Sequence, residues 1–335
     1  MKEAMYYSVF DAEKKIVQCE LCPHKCRLLP DKTGICRIRK NIDGKLVSLV
    51  YGQFTSINLD PIEKKPLYHF YPGTDILSVG TIGCNFRCLN CQNWEISQAD
   101  YDERLPLINL SSDDALKLAK KHNSIGIAYT YNEPFINYEW ILETAELFRK
   151  NGLKNIFVSN GYINETPLME LVTFIDAANI DVKAFNNEFY TKICSAKLEP
   201  VLKTVEFLVR EQKHIEITYL VIPKYNDSMT EIQEFTDWLS QLNSEIPLHF
   251  SRYYPNYKMS ENATSLTTLE RAQQIAAKKL KYVYLGNVWE KEYNRTYCPV
   301  CNSVLVDRIG YTAEITGNLK DGSCRKCGTK INIVM

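Results

Sequence analysis

Short apolar runs alternate with amphipathic stretches along most of the chain. Runs at Ile76–Val79, Gly126–Thr130, Asn155–Ser159, Asn179–Lys183, His214–Val221 and Pro247–Arg252 predict strands, and Lys281–Leu285 predicts a seventh. Between them, Val201, Leu202, Val205, Leu208 and Val209 recur at helical spacing and mark one apolar face. Ser111-Ser112-Asp113 predicts a helix start, and Asn151-Gly152 a helix stop. Such alternation implies a parallel sheet with right-handed crossovers. Periodicity alone does not separate an open barrel from a doubly wound sheet. Ahead of this region, Leu46–Tyr51 predicts one more strand. The pattern divides the chain into an N-terminal segment (1–73), an alternating α/β region (74–290) and a C-terminal segment (291–335).

Cysteine placement changes the picture most. Eleven of the 12 cysteines fall into three groups. Cys84, Cys88 and Cys91 form C-x3-C-x2-C directly after the first predicted strand of the α/β region. A cubane iron–sulfur cluster normally takes four thiolates. Three on one loop hold three irons and leave the fourth open, and an open metal position separates a reactive site from a closed structural one. Such an iron can chelate the amine and carboxylate of S-adenosylmethionine. CxxC pairs in a chain with no evident export signal read as metal sites rather than disulfides. No apolar stretch reaches the ~20 residues a membrane helix needs. An oxygen-sensitive cluster implies a reducing, anaerobic cytoplasm. Lys+Arg and Asp+Glu are both 40, so no global field favours nucleic acid.

C-x3-C-x2-C after a barrel strand resembles the signature of radical S-adenosylmethionine (radical SAM) enzymes. The segments Cys19–Cys26, Asp60–Phe70, Cys91–Ser97, Tyr129–Pro134 and His249–Tyr253 resemble the radical SAM enzyme of the AmmeMemoRadiSam system, a family similar to pyruvate formate-lyase activating enzyme. The resemblance implies a partial (β/α)6-type TIM barrel with cysteine-rich metal-binding extensions at both ends. It also implies a [4Fe-4S] cluster on Cys84, Cys88 and Cys91 that cleaves S-adenosylmethionine to a 5′-deoxyadenosyl radical. Asn132-Glu133-Pro134 resembles the family's glycine-glycine-glutamate-proline segment, with Tyr131 and Asn132 in place of the glycines. Asn160, Asp181, Lys183 and His249 are the remaining implied cofactor contacts. Asn90 stands where the family usually has an aromatic residue. A flavodoxin or ferredoxin is the implied electron donor, and the two other proteins of the system are implied partners.

Cys298, Cys301, Cys324 and Cys327 form C-x2-C-x22-C-x2-C, the spacing of a zinc ribbon. Cys19, Cys22, Cys26 and Cys36 supply four further thiolates, with His24 as a substitute ligand. Structural zinc is the favoured reading there, and an auxiliary iron–sulfur cluster the alternative. Cys194 stands alone after the fourth predicted strand, where a thiol at a barrel mouth can exchange a hydrogen atom. The lysines and prolines of the 60–70 segment suit an exposed rigid loop. The functional expectation is a radical SAM oxidoreductase acting on an unidentified small-molecule or protein substrate. A glycyl-radical-enzyme activase, a zinc-dependent nucleic-acid-binding module and a multi-cluster redox carrier are the rivals.

Overall fold

In the computed structural model, which describes residues 1–335, eight strands build one sheet. They are β1 (Ser56–Pro61), β2 (Asp75–Gly80), β3 (Gly126–Tyr129), β4 (Lys154–Ser159), β5 (Ala177–Asp181), β6 (His214–Val221), β7 (Leu248–Arg252) and β8 (Val283–Gly286). Strands β2 to β8 run parallel in sequence order, and β1 pairs antiparallel with β2 at one edge. This is an open α/β barrel, as the resemblance implied. It carries one more parallel strand than the six-strand plan, from the predicted seventh run. Strand β1 was not predicted: its sequence Ser-Ile-Asn-Leu-Asp-Pro has little apolar character, and β2 recruits it through backbone pairing. The fourth predicted strand ends earlier, at Asp181, because the Tyr190 hydroxyl accepts the Lys183 N–H at 3.0 Å. The strand expected over 46–51 is Lys45–Ser48, after which the chain turns through Gly52.

Helices α1 (Ser112–Lys121), α2 (Tyr138–Lys150) and α3 (Leu198–Arg210) illustrate the outer layer. The Ser111 hydroxyl caps α1 by accepting the Asp114 N–H. Gly152 takes a positive φ of 75° just past α2, where a side chain would be strained. Val201, Val205 and Leu208 of α3 are buried against the sheet. No helix is long and apolar enough to cross a membrane.

The barrel interior is plugged. Ile76, Ala128, Ile156 and Ala177, from four successive strands, pack on Ile62, Leu67 and Phe70. The 60–70 segment is therefore an internal plug, a correction to the exposed loop predicted from its lysines and prolines. Lys65 is 1% exposed and His69 fully buried. Polar strand residues hold the plug: Asn179 Nδ2 donates to the Pro66 carbonyl (2.8 Å), and Glu216 Oε1 accepts the His69 N–H (2.6 Å).

Residues before β1 form two small three-stranded antiparallel sheets, and residues after β8 form a three-stranded sheet with a short hairpin. The C-terminal unit grips the plug. Arg308 donates to the Tyr68 carbonyl (2.6 Å) and faces buried Glu63, while Val334 pairs with the 69–71 backbone.

Candidate active site and metal centres

The cysteine loop leaves the C-terminal end of β2, the end at which barrel enzymes place their chemistry. Cys84 is buried, and Cys88 and Cys91 are partly so. Burial pushes the Cys84 and Cys91 thiols up, so they favour the protonated form until a cation replaces the proton. The Phe86 N–H donates to Cys84 Sγ (3.3 Å), and Cys91 Sγ lies 2.9 Å from Ser97 Oγ. Gly83 precedes the loop with φ 85°, and an added Cβ would stand 2.5 Å from the Cys36 carbonyl oxygen. Only glycine fits this contact, which brings the N-terminal segment directly against the loop.

The ends of the next strands brace the loop. Asn132 Oδ1 accepts the Thr81 N–H (3.1 Å), and its Nδ2 donates to the Gly83 carbonyl (2.8 Å). Asn160 Nδ2 donates to Asn85 Oδ1 (2.8 Å) and lies 3.9 Å from Cys84 Sγ. Glu133 is buried; its Oε1 accepts from Ser159 Oγ (2.8 Å) and the Phe135 N–H, and its Oε2 from the Asn160 N–H (2.9 Å). Burial pushes Glu133 up to about 7 despite these donors. Oε2 keeps an acceptor position for a further cation.

Lys183 and Asp181 project from one face at the end of β5, Nζ to Oδ2 2.6 Å. Burial works to lower Lys183, but Asp181 and the Cys88 and Cys194 sulfurs raise it on balance, so its ammonium stays charged. Cys194 is fully buried in a wide helical turn over Tyr190–Cys194, and its carbonyl accepts the Arg87 N–H of the cysteine loop at 2.8 Å. The turn packs on the cysteine loop at the barrel mouth, where the sequence reading put it, with the thiol closed off from solvent. His249 is placed differently: it is the second residue of β7, in the plugged half of the barrel. Its Nε2 lies 2.7 Å from Glu216 Oε2, and its ring meets Tyr68 edge-on and stacks on Tyr284.

Sequence reasoning missed a second polar group. Lys65 Nζ contacts Asp60 Oδ2 (2.6 Å) and sits 4.6 Å from the Tyr131 ring centre, and the Tyr131 hydroxyl donates to Asp60. Burial draws Lys65 down to about 8 against the pull of Asp60. The Asp-Pro-Ile-Glu-Lys-Lys run was visible; only the plug conformation brings Lys65 onto Asp60 and Tyr131.

The C-terminal thiols converge. Their four Sγ atoms lie within 4.8 Å of one another, Cys298 to Cys327 at 3.5 Å and Cys301 to Cys324 at 3.6 Å. Ser303 hydroxyl and backbone hydrogen bonds bring Cys301 down to about 6. No other histidine, cysteine or carboxylate set in the protein converges so tightly.

The Radical SAM superfamily model matches residues 78–236. The chain is 42% identical over 339 residues to an uncharacterized protein of Methanocaldococcus jannaschii, across the whole of both. It is 26% identical over 222 residues to a putative glycyl-radical enzyme activating enzyme of that organism, covering 64% of this chain and 80% of the other. The structure of Streptococcus suis SuiB bound to S-adenosylmethionine shares the fold at a TM-score of 0.50 and 13% identity, over 62% of this chain and 49% of that one. With its cysteine loop at the mouth of an open parallel barrel, the chain carries a radical SAM domain over residues 78–236.

Proposed function

We propose that this protein is an iron–sulfur enzyme whose Cys84, Cys88 and Cys91 hold a [4Fe-4S] cluster with one iron left for S-adenosylmethionine. The donor set fits: three thiols share one loop and do not converge to single-ion distances, as the C-terminal four do. When bound, the cluster supplies the electron that splits S-adenosylmethionine into methionine and a 5′-deoxyadenosyl radical, which takes a hydrogen atom from the substrate. The chain's residues orient and shield. Glu133 Oε2 receives the methionine ammonium. Lys183, kept charged by Asp181, meets the carboxylate. Asn132 and Asn160 hold the loop in register, and the plug keeps water out of the barrel from below. Cys298, Cys301, Cys324 and Cys327 hold a structural zinc ion: with Zn–S near 2.3 Å, tetrahedral thiolates stand about 3.8 Å apart. A flavodoxin- or ferredoxin-type donor supplies the electron.

The observation that carries this reading is the three-thiol loop at the C-terminal end of β2 with the Lys183–Asp181 pair beside Cys88. The test is anaerobic reconstitution, then dithionite and S-adenosylmethionine. 5′-Deoxyadenosine is expected, with a loss of at least about 10³-fold in Cys84/Cys88/Cys91→Ala. Unchanged yield in that variant overturns the proposal.

A second reading, activation of a partner polypeptide by forming a glycyl radical, is favoured by the putative activating-enzyme relative. Exposed aromatics also follow the C-terminal strand ends: Tyr225 after β6, Tyr254 after β7 and Trp289, 89% exposed, after β8. Exposed apolar patches mark docking surfaces. Deuterium from labelled substrate appearing in 5′-deoxyadenosine, together with a carbon-radical signal on the partner, would identify this activity.

A further inference from the structure

The N-terminal cysteines do not behave as the ribbon cysteines do. Cys19, Cys22, Cys26 and Cys36 line one small cavity of about 20 Å³, together with Gly34, Arg39 and Asn85. They form no group at single-ion distances. Four thiolates on one tetrahedral zinc stand only about 3.8 Å apart. A cubane separates its ligands much further, since each thiolate binds a different corner iron. His24 is not a substitute ligand: its Nε2 lies 2.8 Å from the Asn85 carbonyl oxygen, and the ring does not line the cavity.

Two independent features point to an anionic group between the thiols. A Cβ built on Gly34 would stand 3.5 Å from Cys26 Sγ and 3.7 Å from Cys36 Sγ. The absent side chain keeps space open beside both thiols. Arg39, 1% exposed, pairs through Nη2 with Glu139 but leaves Nε and Nη1 without a partner. Unpartnered buried guanidinium donors are costly. Sulfurs of a negatively charged cluster would accept from them, and such hydrogen bonds are a normal means of tuning clusters.

We propose that Cys19, Cys22, Cys26 and Cys36 bind a second, closed iron–sulfur cluster with Arg39 as its buried counter-charge. Its ligation needs nothing from the first cluster. The two sites share a wall, because Asn85 lines this cavity and lies 3.9 Å from Cys84 Sγ through its Oδ1.

The experiment uses the full chain, reconstituted anaerobically with iron and sulfide, and counts iron, sulfide and zinc. About eight irons and about one zinc per chain are expected. Cys84/Cys88/Cys91→Ala should keep about four irons and a reduced-cluster resonance that S-adenosylmethionine does not perturb. Gly34→Leu, with every thiol present, should lose that resonance and half the wild-type iron. About two zincs with four irons in the wild type, or an iron-free triple variant that retains its native circular dichroism, would overturn the assignment. Failure of 5′-deoxyadenosine formation would bear on the first cluster alone, since the four irons of the triple variant do not depend on it.

Discussion

The two terminal regions each carry four cysteines but fold around them differently. In the ribbon, paired knuckles bring the sulfurs together within 4.8 Å. Cys19, Cys22, Cys26 and Cys36 instead stand around one small cavity, with two unpartnered guanidinium nitrogens of Arg39 on its wall. Identical ligands can therefore be sorted by what surrounds them: spacing of the sulfurs and buried counter-charge. The regions also attach at opposite ends of the barrel's working parts. The N-terminal one touches the Cys84–Cys91 loop at Gly83, and the ribbon clamps the plug through Arg308 and the chain end.

The comparison breaks most visibly at the ribbon. Cys298→Ser with Cys324→Ser should release zinc and cost several kcal/mol, since structural zinc supplies about 10–16 kcal/mol in isolated finger peptides. Calorimetry and metal counts check this, and iron content should stay unchanged. Arg308→Met should cost about 3–5 kcal/mol, because it strands Glu63 in the interior; denaturant unfolding measures it.

A third test concerns the plug's acid sensitivity. Burial pushes the His69 imidazole down to about 4 from 6.5. The unfolded chain then binds more protons between those values, so stability rises with pH there and is lost as pH falls from 6.5 toward 4. Glu216, held low by His214 and His249 against the effect of its burial, adds a loss in the same direction at lower pH. The His69 contribution is on the order of 3 kcal/mol. A melting temperature that falls across this window, less steeply in His69→Gln, is the expected outcome. The smallest effect tests the other contact. Gly83→Ala should cost about 1–3 kcal/mol through a strained positive φ and the clash with Cys36. It should perturb both proposed iron sites and leave the metal content of the C-terminal ribbon unchanged.

Much of the site was legible along the chain. The C-x3-C-x2-C loop, Asn132-Glu133, Asn160 and the Asp181–Lys183 pair all emerge at strand ends, because a parallel barrel collects those ends on one face. Alternation alone marked six strands and a seventh. The depth of His249 and the burial of Cys194 were not legible. One residue near the start of β7 and one wide helical turn decide whether a side chain reaches the mouth, and local pattern carries no information about either. Lys65 and Glu63 read as surface residues because their partners, Asp60 with Tyr131 and Arg308, come together only when the segment enters the barrel.

The sequence by itself determined the chemistry on offer: soft ligands in three groups, an α/β alternation and the order of polar residues at its strand ends. These follow from covalent spacing and local periodicity, which survive in the unfolded chain. Tertiary structure alone decided which thiols converge, which charges are buried in pairs and which segment fills the barrel. Those outcomes depend on contacts between residues far apart in sequence, where burial turns an ordinary lysine, glutamate or arginine into a group that must find a partner.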